Sequence, residues 1–447
     1  MAKNDQNNDL MEKIVSLTKR RGFIFPSSEI YGGFGSSYDY GPIGAELKNN
    51  VKQAWWDEMT KFQDNIVGLN SAVLMSPKVW EASGHLTEGF ADMLAECKKC
   101  KRRFREDHIE EGKCPECGSE LSEGRKFNLM MKTFIGSVED KAATAYLRAE
   151  TCQGIFINFE NVRESMRMKI PFGIAQIGKA FRNEITPGNF TYRTREFDQM
   201  EMQFFVHPDE ADKWFDYWKD ERLKWYLGLG IKKENIRIRE QKKDELAHYA
   251  KKAVDIEYRF PFGWQEIEGI HNRGDWDLSN HSKHSGKDLS YADEKTGKKF
   301  IPYVIETSAG ADRSTLTFLI NAYEEISGGR TTTTESIKEK EVVLRLNKKL
   351  SPVKVAILPL SKKEELAKKT RETFDLIKVK FESQYDETGS IGKRYRRHDE
   401  IGTPYCVTVD FETLEDNAVT VRDRDTMKQE RIKIKELTEY LSKKLSQ

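Results

Sequence analysis

Two short runs decide the reading of this chain: Phe181-Arg182-Asn183-Glu184 and, after a gap, Tyr192-Arg193-Thr194-Arg195-Glu196-Phe197-Asp198-Gln199-Met200-Glu201. Both runs alternate as strands do, which predicts a long antiparallel hairpin. The gap, Ile185 to Phe190, contains Pro187-Gly188-Asn189, a turn signal. In a strand, Arg182 and Glu184 point to one face. Arg182, Arg193 and Arg195 share the hairpin with Glu184, Glu196, Asp198 and Glu201. Two explanations fit that crowding. One is a solvated, salt-bridged hairpin. The other is a nucleotide site in which Arg meets phosphate, Glu accepts from an exocyclic amine and Phe stacks on a base.

A second stretch reads the same way. Ile301 to Ile305 predicts a strand, Glu306-Thr307-Ser308-Ala309-Gly310 a small-residue turn, and Ala311-Asp312-Arg313 the start of a helix running past Leu319. Small residues let a ligand approach the backbone. Arg313 falls in the first helical turn, where phosphate is favoured. An ordinary strand-turn-helix connection with a surface arginine also fits. There is no GxxxxGK[ST] loop, and Gly33-Phe34-Gly35-Ser36-Ser37-Tyr38 lacks the last glycine of a dinucleotide fingerprint.

Upstream, Gly22 to Gly44 is rich in Gly, Ser and aromatics and reads as strand and loop. After Pro42 the residues Leu47, Val51, Trp55, Met59 and Phe62 recur every three or four positions. That predicts an amphipathic helix of about 18 residues with proline at its start. Cys97-x-x-Cys100 and Cys114-x-x-Cys117 are two pairs separated by 13 residues. Four thiolates at this spacing predict a closed, structural Zn²⁺ site, with Pro115 and Gly118 as turn residues. His108 and His85 read as bystanders, Cys152 and Cys406 as small hydrophobes. Gly154–Phe159 and Met200–Val206 read as strands, Pro208 to Leu229 as a helix.

Ser327 to Ser336 is a polar break and a candidate boundary. Beyond it, Val353–Pro359 predicts a buried strand, and Ser361 with Glu364 a capping box for the next helix. Tyr405–Phe411 and Ala418–Arg422 predict strands, and the chain closes on a helix ending near Leu445. From Lys338 onward there are 25 Lys/Arg against 20 Asp/Glu, an excess above the net charge of +1 of all 447 residues. Lys393-Arg394-Tyr395-Arg396-Arg397-His398 reads either as a contact for an unpaired base and its phosphates or as a solvated loop. Composition excludes a disordered chain, since hydrophobic residues are 38% and aromatic ones 11%. A near-neutral balance argues against a non-specific DNA coater. No apolar run reaches the ~20 residues of a membrane span, the start lacks a signal-peptide pattern, and six cysteines make no disulfide scaffold, so a cytoplasmic protein is expected.

In order and spacing, the proline-led helix, the FRNE…RTREF hairpin and the GADR helix resemble the three motifs of class II aminoacyl-tRNA synthetases. Tyr38-Asp39-Tyr40-Gly41-Pro42, Trp80-Glu81-Ala82-Ser83-Gly84-His85, Phe127-Asn128-Leu129-Met130 and Arg182 to Glu201 narrow the resemblance to the homodimeric, bacterial/eukaryotic-type glycyl enzymes, over essentially the whole chain. The resemblance implies an α+β fold. A class II antiparallel sheet core with helices would span 1–96 and 126–336, a zinc-binding insertion 97–125, and an α/β anticodon-binding domain 337–447. It implies activation of glycine by ATP, with Mg²⁺ bridging phosphates, and transfer of the glycyl group to tRNA(Gly) by a homodimer.

The resemblance also implies roles. Arg182 would grip the α-phosphate and Glu184 the adenine amine. Phe197 and Arg313 would sandwich the base, with Arg182 and Arg313 serving catalysis. Asn183, Tyr192, Arg193, Thr194, Arg195, Glu196, Glu266, Ile267, Gly310, Ala311 and Asp312 complete the implied ATP site. Glu150, Glu201 and Glu306 would surround the glycine amine, with Gln199, Phe197, Ser308, Gly310 and Arg105 around the rest. The chain departs from the family at Ala149 and Thr307, where proline is usual, at Cys152, where alanine is common, and at His271, where a small residue is common. Two other readings belong beside this one: another class II synthetase, and a non-catalytic synthetase-like subunit that binds nucleic acid. The second is opposed by the presence of Arg182, Glu184, Phe197 and Arg313 together. A bare zinc ribbon leaves the chain after Cys117 unexplained.

Overall fold

The structure, a computed structural model, describes all residues except 1, 88–89, 107–108, 110–111, 141–142, 186–187, 248, 294–295, 328–339 and 447, with the side chains of 2–8 also left undescribed. Pro187, His108 and most of the polar break from 327 to 336, including the expected boundary at 336/337, lie outside the described residues.

A seven-stranded sheet organises the first two-thirds of the chain. Its spatial order is Ile236–Glu240, Lys252–Phe260, Gly263–Gly274, Tyr303–Gly310, Glu196–Val206, Phe172–Phe181 and Ile66–Gly68. Every neighbouring pair is antiparallel except the last, which is parallel. The Tyr303–Gly310 strand inserts between two segments far away in sequence, so the hairpin strand and the GADR strand become neighbours.

Strand alternation then assigns the faces. Met200, Met202 and Phe204 point into the main core, beneath the helices Pro42–Trp56, Ala211–Gly228 and Ala311–Ala322. The proline-led helix buries Leu47, Val51 and Trp55 there and ends in a single π-turn, Asp57–Lys61. On the other face Phe172, Ile174, Phe205 and Val304 join a smaller core under the short helices Cys152–Ile157, Phe159–Ser165 and Trp276–Ser285. Farther along the strands of Phe205 and Val304 stand the polar residues Gln199, Glu201, Gln203, Glu306 and Ser308.

The C-terminal part has its own five-stranded sheet, ordered Ser383–Tyr385, Val355–Pro359, Tyr405–Val409, Ala418–Asp423, Gln429–Lys433. Helices Glu364–Ile377 and Ile434–Leu445 pack on one side and Ile391–Glu400 on the other. The Lys340–Leu344 strand pairs with Tyr323–Ser327, and Leu344, Leu346, Leu350 and Val353 bury in the first core. The seam between the two cores therefore falls just before Val355. Among the described residues, no helix is long and apolar enough to cross a membrane.

Five local expectations need correcting. Gly154–Phe159 is helical, not a strand. A short, mostly apolar run cannot be assigned to strand or helix by its period, and Gly154 is needed because a Cβ would lie 2.0 Å from Ser71 Oγ. Thr307–Gly310 is strand, not turn: pairing on both edges extends it to the first residue of the helix. The hairpin strands stop at Phe181 and restart at Glu196, so Arg182 and Glu184 lie beyond the ladder. The Ser361/Glu364 box does not form, and Ser361 Oγ accepts only from Lys363 N–H. A capping box forms instead between Asp410 and Thr413, at a short helix beginning at Phe411, where a strand was expected to end. Finally, Lys393–His398 is neither loop nor open basic surface, as described below.

Candidate active site

The cleft begins where the hairpin ladder ends. Arg182 N–H makes a last bond to the Arg195 carbonyl at 2.9 Å, while its Nε donates to the Ala149 carbonyl at 3.1 Å, and its guanidinium carbon lies 5.5 Å from the Phe197 ring centroid and 5.6 Å from that of Phe90. Opposite, the helix starting at Ala311 delivers Arg313. Its guanidinium carbon sits 4.5 Å over the Tyr192 ring and its Nε donates to the Tyr192 carbonyl at 3.2 Å. Glu266 Oε1 lies 3.5 Å away. Burial alone would lower the Arg313 pKa; Tyr192, Glu266 and Glu184 outweigh it and hold the group charged. Glu184 lines the same cleft, and its buried Oε2 has no partner. The cleft thus offers the cations of Arg182 and Arg313, the aromatic face of Phe197 and a spare acceptor on Glu184.

Other implied ATP residues divide. Tyr192, Arg193, Thr194, Glu266, Gly310 and Asp312 line the cleft, joined there by Gln199 and Ser308 of the implied glycine set. Asp312 also holds the frame: Oδ1 accepts from Lys48 Nζ at 2.7 Å and Oδ2 from Asp198 N–H at 2.8 Å. Lys48 bonds Asp198 at 2.7 Å as well, so one buried ion cluster ties the proline-led helix Pro42–Trp56 to the residues beside Phe197 and Arg313. Arg195 is committed to the Glu184 and Gly35 carbonyls, and Glu196 to Lys179. Asn183 N–H donates to the Leu129 carbonyl. The side chains of Ile267 and Ala311 belong to the main core, not the cleft.

Deeper along the sheet, cross-strand register sets Glu201 opposite Ser308 and Gln203 opposite Glu306. Glu201 accepts from Thr151 N–H (2.9 Å) and from the Thr151 hydroxyl on one oxygen, and from Ser308 (2.7 Å) and Gln199 (3.3 Å) on the other. All of these donors are neutral. Burial, then Glu306 and Glu150, push its carboxyl up to about 7. Glu306 differs because burial is offset by a cation: Arg273 donates to Oε2 at 3.0 Å, Gln203 at 2.7 Å, and its carboxyl is held low. Glu150 is held low too, its burial offset first by His85, 3.4 Å away, and by Arg273. Three carboxylates therefore gather close enough to act on one another's charge.

The four cysteines of the insertion converge. Their ligand atoms all lie within 4.8 Å of one another, with Sγ of Cys97 and Cys117 at 3.4 Å and those of Cys100 and Cys114 at 3.7 Å. Sulfurs around one tetrahedral zinc at ~2.3 Å stand about 3.8 Å apart, so the quartet fits that ion. Arg105, on a strand of the same insertion, lies 3.3 Å from Asp92 and is not among the residues lining the cleft.

Known proteins agree with this layout. Residues 134–323 match the tRNA synthetase class II core domain (G, H, P, S and T), and 354–444 match an anticodon binding domain. A glycine–tRNA ligase of Thermobifida fusca (strain YX) is 53% identical over 98% of this chain and 99% of its own length. That of Treponema denticola is 55% identical over 96% and 95%. The chain belongs to the glycine–tRNA ligase family. A prolyl-tRNA synthetase of Cryptosporidium parvum shares the fold, with a TM-score of 0.64 at 17% identity, covering 97% of this chain and 75% of that one.

In this glycine–tRNA ligase relative, sequence reasoning passed over several pocket residues. Arg273 is 2% exposed and bridges Glu306 to Asp277. No helical spacing announced it, since Arg273 lies near the end of a strand and Asp277 in the first turn of the next helix. His85 faces Glu150, not the cysteines. Cys152 packs in the smaller core but also points its thiol at Glu150 Oε1, 2.9 Å away, so it is more than a hydrophobe. Cys406 is the apolar filler expected.

The basic run of the C-terminal part is spent on structure. Arg394 is 1% exposed and donates to the carbonyls of Pro359, Glu387 and Gly389. Arg396 pairs with Glu341 at 3.2 Å and Arg397 with Asp386 at 2.6 Å. Burial pushes His398 down to about 4. Lys393 alone of the run is exposed.

Proposed function

We propose that the chain is a glycine–tRNA ligase that makes glycyl-adenylate from glycine and ATP and passes the glycyl group to tRNA(Gly). The observation that carries this is the juxtaposition of an Arg182–Phe197–Arg313 cleft with three clustered carboxylates, Glu201 and Glu306 on adjacent strands and Glu150 just before the helix Cys152–Ile157. A glycine carboxylate oxygen attacks the α-phosphorus, and the bond to pyrophosphate breaks. The terminal tRNA ribose hydroxyl then attacks the glycyl carbonyl, and AMP leaves. No side-chain nucleophile is required; the protein positions the reactants and stabilises charge. Arg182 neutralises the α-phosphate as the fifth oxygen arrives. Phe197 and Arg313 hold the adenine from its two faces, and Glu184 Oε2 accepts from its amine. Bound Mg²⁺ supplies charge neutralisation on the phosphates, near Glu266.

Glu150, Glu201 and Glu306 receive the ammonium. Ser308, fixed by its bond to Glu201, stands by the α-carbon, so a methyl group would clash there and selection works by exclusion. The cysteine quartet holds a structural Zn²⁺. The working unit is a homodimer, for which the exposed loop residues Ile30, Tyr31 and Phe34 offer apolar surface. Charging of tRNA with labelled glycine tests the reading. Glycyl-tRNA that accumulates with the parent and not with Arg313→Ala supports it; a folded parent that charges nothing overturns it.

A further inference from the structure

The amino-acid pocket holds a donor set that ammonium recognition does not need. Cys152 Sγ and one carboxylate oxygen each from Glu201 and Glu306 all lie within 4.8 Å of one another. The three residues are 0%, 3% and 3% exposed. Two atoms bound to one tetrahedral zinc at ~2.0–2.3 Å stand roughly 3.3–3.8 Å apart, so small side-chain adjustments close the set on one ion. A second feature adjoins the same carboxylates. Gln203, 0% exposed and two residues along the strand from Glu201, donates its amide nitrogen to Glu306, and its buried Oε1 has no partner.

Charge points the same way. Arg273 is divided between Glu306 and Asp277, which takes two of its bonds at 2.6 and 2.9 Å. His271 Nδ1 stands 3.1 Å from Glu306 Oε1 on the rim. Arg273 and His85 answer Glu306 and Glu150, but among the described residues no cation donates to Glu201, so the cluster retains an unanswered carboxylate beside the Cys152 thiol. A thiolate with two carboxylates suits a borderline-soft ion and not Mg²⁺, which demands oxygen ligands.

We propose that this pocket is also a binding site for a soft divalent cation, Zn²⁺ in type, held by Cys152, Glu201 and Glu306 with a fourth position open. Binding displaces the Cys152 thiol proton, which leaves to solvent, and the ion occupies the space of the glycine ammonium. Zinc and glycine are therefore mutually exclusive, and free zinc throttles the first half-reaction. The competition rests on the reading of this pocket as the glycine site; the metal site itself does not.

The test uses the full chain with its cysteine quartet zinc-loaded and free Zn²⁺ fixed by a metal buffer. In ATP–pyrophosphate exchange, zinc raises the apparent KM for glycine while kcat holds, and excess Mg²⁺ gives no relief. Cys152→Ala raises the zinc concentration for half-inhibition by roughly tenfold or more, judged against that variant's own zinc-free rate. Zinc that lowers kcat alone, or an identical response in parent and variant, overturns the proposal. Without substrates, Co²⁺ added to the parent gives a thiolate-to-cobalt absorption band that glycine removes and that Cys152→Ser, a near-isosteric variant, lacks. A folded parent without the band also overturns it. A cobalt band in a protein that performs no exchange would instead sink the catalytic reading and leave the metal site standing.

Discussion

Glycine binding should release a proton from Glu201, and the apparent KM for glycine should rise as pH falls through 7. The free carboxyl sits at about 7 because burial and two neighbouring carboxylates penalise its charge, while all its hydrogen-bond donors are neutral. The ammonium is the cation that ionises it. With that pKa the group is about nine-tenths ionised at pH 8 and one-tenth at pH 6. KM should therefore be about tenfold higher at pH 6, close to 1.4 kcal/mol of binding. Exchange measured from pH 6 to 8 at saturating ATP reads this directly. Since the folded pKa lies above the ordinary glutamate value, the free protein should also lose stability as pH rises from about 4.5 through 7. Saturating glycine should flatten that loss. Glu150, Glu306, Arg273, Cys152, His85 and His271 share the pocket, so the assignment needs two controls. Glu201→Gln should bind glycine weakly with a flat profile, and His271→Asn should keep the slope. A pH-independent KM in the parent, or the same slope in Glu201→Gln, refutes the reasoning.

Three further outcomes follow from buried charge and from the cysteines. Lys48→Met leaves Asp312 buried without its cation and Asp198 with only the longer contacts to Lys179 (3.8 Å) and Lys52 (4.0 Å), so it should cost about 3 kcal/mol in denaturant unfolding and raise the KM for ATP, because both aspartates adjoin cleft residues. Arg394→Ala orphans three carbonyls and should lower stability by about 3 kcal/mol or more. At a temperature where the variant stays folded, its tRNA affinity should match the parent's. Cys97→Ser should abolish the zinc that the parent retains through dialysis against glycine-containing buffer; equal metal content in both would remove the quartet as its holder.

The chemistry-bearing side chains were legible because they cluster in short, unusual runs. Arg182, Glu184 and Phe197 share one hairpin, and Arg313 follows a strand into a helix. The four cysteines carry their own spacing. What the sequence could not show was pairing between distant segments. The carboxylate pocket depends on Tyr303–Gly310 lying beside Glu196–Val206, and nothing local states that. For the same reason Thr307–Gly310 looks like a turn until its two neighbours are known. The run from Lys393 to His398 misleads in the opposite direction. Basic residues usually mark surface, yet here a helix turns Arg394 and His398 inward, and carbonyls and carboxylates of other segments take up the charge. Cys152 and His271 reveal their surroundings only once the sheet is assembled.

The central claim is that the cleft and the carboxylate pocket together activate glycine and nothing larger. Amino-acid-dependent ATP–pyrophosphate exchange tests it most directly, run with glycine, alanine, serine, threonine and proline in parallel. The account predicts exchange with glycine alone, abolished by Arg313→Ala. Exchange with a larger amino acid would contradict the pocket's selectivity, and none with any of the five, in folded protein with zinc confined to the quartet, would contradict the catalytic reading itself.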